Sequence, residues 1–297
     1  MNDAARARLQ VVAAAVLFST GGAAIKATAL SGLQVASLRS GIAALTLLAL
    51  FPAARRAWSP GTFAIGITYA ATMILFVVAN KWTTAAGTIF LQATAPLYLV
   101  LLAPLVLREP VRGRDLAFMG VLASGMALFF LGMDDPGPTA PRPLAGNVAG
   151  ALTGVTWAVT LTGLRLSAKG TGAGAGDRAA VAVLAGNTIA CLACLPFAVP
   201  LPAIAARDAG VVLYLGIFQI GIAYIFLTSG IRNVGALAAS LLLLVENTLS
   251  PIWAWFFHGE VPGRLSIAGG AVILAATTAR TWLDARRARL SPAAVPP

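Results

Sequence analysis

The sequence predicts an all-α polytopic membrane protein of ten transmembrane helices, arranged as two inverted-topology five-helix repeats around a central cavity. Three observations predict it. First, 59% of the 297 residues are hydrophobic and only 10% are charged, with a mean hydropathy of +0.85. A soluble domain carries about 25% charged residues to cover its surface, so the outside of this chain is expected to face lipid. Second, the apolar residues fall into ten runs, most of them about 20 residues long and separated by short polar gaps. Third, residues in the first five runs have counterparts in the last five.

The runs are 9–29, 35–51, 63–80, 87–107, 116–133, 144–166, 179–199, 208–231, 236–257 and 265–283; they are spans 1 to 10. Each approaches or exceeds the length needed to cross hydrocarbon. Span 1 contains Phe18, a close-packing Gly21-Gly22 pair and, near its end, Lys26. No secretory cleavage pattern precedes it, so it is expected to be retained. Span 2 carries Arg39, and Lys81 follows span 3. Span 4 carries Gln92, Pro96, Tyr98 and Pro104. Span 6 carries Trp157. Span 7 carries Asn187 and two cysteines, Cys191 and Cys194, which share a helix face and are read as small apolar groups rather than a redox or metal pair. Span 8 carries Gln219 and Tyr224. Span 9 carries Glu246, Asn247 and Pro251. The longest gaps, 134–143 and 169–176, are too short for a domain. One membrane domain, 1–297, is therefore expected, with repeat 1 over 9–133 and repeat 2 over 144–283.

Fifteen of the 21 Lys and Arg residues lie at the termini and in alternate connections. The other six, Lys26, Arg39, Lys81, Arg142, Arg207 and Arg264, are assigned to the opposite side. By the positive-inside rule both termini are expected in the cytoplasm of a cell bounded by this inner membrane. The net charge of +11 follows from these connections, and a nucleic-acid partner is not expected. The expected partners are the bilayer and a small molecule; the residues leave the oligomeric state open.

Shifted by 139 residues, Phe18, Lys26 and Arg39 fall on Trp157, Arg165 and Arg178. Shifted by 151, Lys81, Pro96 and Glu109 fall on Arg232, Asn247 and Glu260. Five spans is an odd number, so the second copy enters the bilayer from the other side. Inverted repeats are the architecture of many secondary transporters, with the solute site between the halves near the midplane. A duplicated membrane scaffold that moves nothing is the alternative.

Twice a Pro-bearing apolar stretch ends in a Glu: Ala95-Pro96-Leu97 through Arg108-Glu109-Pro110, and Asn247 through Pro251-Ile252-Trp253-Ala254-Trp255 to Gly259-Glu260. With Trp157, Arg39, ten spans and the repeat, this resembles the drug/metabolite transporter superfamily, EamA type. Within it the chain is most similar to the YddG-type exporters of aromatic and other amino acids. The resemblance implies a ten-helix basket whose cavity is lined by spans 1, 3, 4, 6, 8 and 9, and export of small metabolites from the cytoplasm. Asn247 departs from the pattern at the place of Pro96, so the second kink is expected one turn later, at Pro251.

Glu246 is the acid deep in a span, where ionisable groups are costly and mark function. It is expected to hold a substrate ammonium or to take up a proton, or else to be a buried structural group. Gln92, Asn187 and Gln219 are cavity candidates or interhelical glue. Mid-span aromatics line cavities or fill cores, and Trp157, Tyr98 and Tyr224 are taken as substrate-binding candidates. Pro96 and Pro251 are gating or kink candidates, because each removes a backbone hydrogen bond. Lys26, Lys81 and His258 are expected to snorkel toward headgroups.

No G-x-x-x-x-G-K-[ST] loop occurs, so a proton or solute gradient is the expected driving force; no cofactor and no metal is expected. The expected activity is outward transport of small amphipathic metabolites, amino acids included, by alternating access. A cationic drug or a nucleotide sugar is the alternative solute; the latter would demand several inward basic residues, and none is read at mid-span. An intramembrane enzyme would need a second group beside Glu246, and none is evident, so no enzyme is expected.

Overall fold

The computed structural model describes residues 3–55, 58–102, 106, 113–132, 137–168, 175–200, 204–231, 234 and 236–290. Among them every extended element is helical; one isolated bridge, Gly137 to Ala140, lies in a connection. Span 1 forms α1 (Asp3–Ser19) and α2 (Gly21–Lys26). Span 2 forms α3 (Gly32–Leu50) and span 3 forms α4 (Pro60–Trp82). Span 4 is split into α5 (Ala85–Gln92) and α6 (Ala95–Leu102). Then come α7 (Gly113–Leu131), α8 (Pro143–Ala168) and α9 (Ala175–Ala198). Span 8 is α10 (Ala206–Tyr214), a π-helical segment Leu215–Ile222, and α11 (Ala223–Ile231). Spans 9 and 10 are α12 (Ala236–His258) and α13 (Arg264–Leu290).

Among the described residues seven stretches are long and apolar enough to cross a bilayer: Ala5–Lys26, Gly32–Leu50, Pro60–Trp82, Ala85–Leu102, Pro143–Leu164, Asp177–Ala198 and Ala206–Gly230. The chain is therefore a multi-pass membrane protein. The remaining predicted spans fall on α7, α12 and α13. Large apolar side chains such as Leu45, Ile67, Phe197, Phe256 and Phe257 are exposed around the outside, where lipid replaces water as solvent.

Local chemistry sets where helices begin and break. Ser31 and Ser59 close capping boxes with Gln34 and Thr62, and Pro60 occupies the first turn of α4, where a missing N–H costs nothing. At Ser19-Thr20 both hydroxyls bond back to carbonyls three residues earlier, at 2.7 Å; such back-bonds compete with the helical ladder and bend it. Thr94 does the same to Leu91 at 2.6 Å, and Pro96 then falls in the first turn of α6. The break in span 4 thus precedes the proline rather than following it. Around Pro251, in contrast, α12 runs on as one element.

Small residues let the helices close up. The free cysteines lie on α9, Cys191 against Gly41 and Ser37 of α3. The most extensive helix contacts fall in matched pairs, while lesser ones, such as span 1 on span 3 and span 6 on span 7, do not. Span 3 packs on span 6 (α4 on α8), and span 8 on span 1 (α11 on α1). Span 3 also packs on span 7 (α4 on α9), and span 8 on span 2 (the π segment on α3). Span 4 packs on span 6 and span 9 on span 1; spans 2 and 7, 4 and 9, and 5 and 10 pack on each other.

Candidate functional site

The middle of the molecule holds a cavity of about 110 Å³ lined by Phe18, Arg39, Met73, Phe76, Gln92, Trp157, Gln219, Ile220, Tyr224, Leu227, Leu243 and Glu246. Spans 1, 3, 4, 6, 8 and 9 all contribute, and span 2 joins them through Arg39. Two further cavities adjoin it. One of about 310 Å³ shares Gln92, Trp157 and Glu246 and adds Pro96 and Asn247. The other, of about 460 Å³, shares Trp157 and Tyr224 and is walled mainly by Leu47, Phe51, Leu161, Leu164, Val183 and Val234. Trp157 borders all three.

The aromatic wall is braced edge to face. Tyr69 stands 5.9 Å from Tyr224 and 6.5 Å from Trp157, and Phe18 stands 5.1 Å from Tyr224, with interplanar angles of 62–71°. Such geometry fixes ring orientation beyond simple burial. The polar lining is incompletely satisfied. Arg39 Nε, Gln92 Oε1 and Gln219 Oε1 are buried without a hydrogen-bond partner. Buried polar atoms in native proteins are normally paired; three of those left unpaired belong to residues that line this cavity.

Gln219 reaches the cavity from the π-helical segment and donates to the Phe18 carbonyl at 3.4 Å. A π segment inside an α-helix turns its side chains off register, and such segments frequently mark functional sites.

The structure brings Trp157, Tyr224, Gln92 and Glu246 together, with Pro96 at the margin. Tyr98 and Asn187 stand apart. Tyr98 packs on Gly154 and turns its hydroxyl to Met126 Sδ at 3.6 Å. Asn187 is fully buried and donates to the Val183 carbonyl at 2.9 Å. Pro251 lies inside α12 and half-buried. Pro104, Glu109 and Arg232, and the Arg165 side chain, lie outside the described residues.

Arg39 corrects the sequence reading. Counted there with the outer charges, it is 1% exposed and lines the central cavity. An Arg within an apolar span is costly enough to be a functional signal by itself.

Lys26 and Lys81 do not snorkel. The Lys26 ammonium is buried, 3.3 Å from Glu260 Oε1, and donates to the Thr83 carbonyl at 2.7 Å and to the Thr139 carbonyl. Glu260 Oε2 accepts from the Ala85 N–H at 2.9 Å. Burial pushes the Glu260 carboxyl upward, while the Lys26 charge and the Ala85 N–H oppose it; burial prevails. Lys81 donates to the Thr28 carbonyl at 2.7 Å, and His258 Nε2 lies 2.8 Å from the Ala23 carbonyl oxygen, where it can donate. The turn that aims Glu260 inward is made by Gly259 at φ +62°, a left-handed conformation suited to glycine. These contacts tie α2, α5, α8's approach and the α12–α13 turn together at one end of the molecule. The 460 Å³ cavity points toward the opposite end, bordered by Phe51, Leu164 and Val234.

No curated protein matches the sequence. A crystal structure of another protein, 21% identical, covers 95% of this chain and 98% of its own at a TM-score of 0.62, and so shares the fold. Residues 144–279, from the first turn of α8 into α13, match the EamA-like transporter family.

Proposed function

We propose that the chain is a secondary transporter of the inner membrane, with both termini cytoplasmic, that exports small amphipathic metabolites, amino acids including aromatic ones, by alternating access. In this reading ten spans form two inverted repeats. The observation that carries it is the central cavity, built from both halves, rich in aromatic faces and bordered by three residues that each hold an unpaired polar atom. The paired packing supports the repeat, because every matched pair named above is converted into another, or into itself, by exchanging span n with span n+5. The sealed end at Lys26–Glu260 and the cavity pointing to the other end fit a state open toward the cytoplasm. Rocking one half against the other would reverse them. Glu246 holds the solute's ammonium. A cationic drug fits poorly beside Arg39, and a nucleotide sugar calls for more than that single guanidinium.

Purified full-length protein in liposomes preloaded with unlabelled L-phenylalanine should accumulate labelled L-phenylalanine by exchange. Flux equal to protein-free liposomes, with and without a pH gradient, would remove the reading for amino acids. Glu246→Gln should weaken solute binding by about 10- to 100-fold, the usual worth of a hydrogen bond to a charged group. Because only the carboxylate attracts an ammonium, wild-type flux should fall as pH is lowered and Glu246 protonates. Flux through the Gln variant should lose that dependence, and an unchanged pH profile would take Glu246 out of the role.

A further inference from the structure

Arg39 lines the central cavity with its hydrogen-bonding capacity largely unused by the protein. We infer that its guanidinium binds the carboxylate of the transported solute, so that the site selects solutes bearing an acid group over the corresponding amines. This rests on the transport reading above and names the residue that reads the solute's anionic end.

Arg39 lies in the middle of α3, 1% exposed, on the central cavity. Its Nη2 donates only at long range, to the Met73 carbonyl at 3.4 Å and to Met73 Sδ at 3.5 Å. Its Nε has no partner. Among the described residues no carboxylate lies within 4.0 Å of it, although Glu246 lines the same cavity. A guanidinium does not lose its proton in a protein, and a buried charge is stable only when paired. The one carbonyl contact of Arg39, at 3.4 Å, leaves the guanidinium poorly compensated among the described residues.

The under-used atoms are Nε and Nη2, which together form one edge of the guanidinium. That edge matches the two oxygens of a carboxylate in a bidentate pair. Arg39 and Glu246 thus offer a cation and an anion on one cavity without neutralising each other, the arrangement a zwitterion bridges. The 110 Å³ cavity takes the charged end, and the adjoining 460 Å³ apolar space beyond Trp157 and Tyr224 takes the side chain.

The test compares L-phenylalanine with phenethylamine, which lacks only the carboxylate, in binding and exchange by the purified full-length protein. The wild type should prefer L-phenylalanine. Arg39→Gln should lower its affinity for L-phenylalanine by about 10- to 100-fold. Affinity for phenethylamine should not fall, and should rise as the repulsion between its ammonium and the guanidinium is removed. Arg39→Lys should be intermediate, keeping the charge but losing the fork. Equal losses for both ligands, or a wild type that handles both alike, would overturn the role of Arg39 and leave the transport reading standing. If the wild type neither binds nor moves either ligand, both readings fall. Should Arg39→Gln fail to fold, competition on the wild type decides: L-phenylalanine must displace label and its methyl ester, which has no carboxylate, must not.

Discussion

Replacing Glu260 with alanine should destabilise the folded protein by about 3–5 kcal/mol, because removing one member of a buried ion pair strands the other charge. The Lys26 side chain is 5% exposed and the Glu260 side chain 2%, so water cannot take over the lost partner. The backbone N–H of Ala85, at the start of α5, loses its acceptor as well. Thermal unfolding of detergent-purified protein reads the effect. Lys26→Met combined with Glu260→Leu should recover part of the loss, since a well-packed apolar pair strands no charge, although the Ala85 N–H still lacks its acceptor. A Glu260→Ala protein as stable as the wild type would mean that this end is not held by the pair. The pH dependence has a defined sign. A carboxyl raised by burial favours the folded state most below the carboxyl's unfolded value, and that contribution declines as pH rises through the folded value.

Gly186→Ala should part α4 from α9 and cost about 1–3 kcal/mol, the usual range for overpacking. A Cβ there would lie 2.8 Å from the Gly66 carbonyl oxygen and against the Tyr69 ring. The backbone oxygen cannot yield without moving its helix. The neighbouring contact is equally tight, a Cβ on Gly66 meeting Ala185 Cβ at 2.9 Å, so neither helix has slack. Tyr69 is braced against Trp157 and Tyr224, which makes the cavity wall move with it. The variant should therefore lose both melting temperature and solute exchange. Unchanged values of both would show that the two helices do not set the cavity.

The positions of the helices were legible because a crossing needs a long apolar run; over the described residues these runs fall on helix, and seven stretches are long and apolar enough to cross. Their interruptions were not. At the breaks near Thr20 and Thr94 the hydroxyls bond back to the ladder, but so do Thr68 and Ser124 within unbroken helices, so the residue type alone does not announce a break. The π segment at Leu215–Ile222 leaves no mark on hydropathy. Of the site, Trp157, Tyr224, Gln92 and Glu246 could be named from polarity or aromaticity at mid-span, and they share one cavity. Tyr98 and Asn187 had the same credentials yet face elsewhere, because an apolar helix surrounded by lipid and other helices has no polar stripe to say which way it turns. Arg39 was misplaced because its charge was counted for topology. The cost of an arginine at that depth was the signal that could have found it.

The proposed transport cycle depends on two similar halves crossing the membrane in opposite directions around the shared cavity. The most direct measurement introduces single cysteines at Ala29 and Leu166, both exposed and near repeat-equivalent positions, in a background with Cys191 and Cys194 replaced. A membrane-impermeant maleimide applied to intact cells should label the cysteine at 29, while that at 166 should react only after lysis. Both sites reacting from the same side would contradict the inverted arrangement and the alternating-access reading built on it.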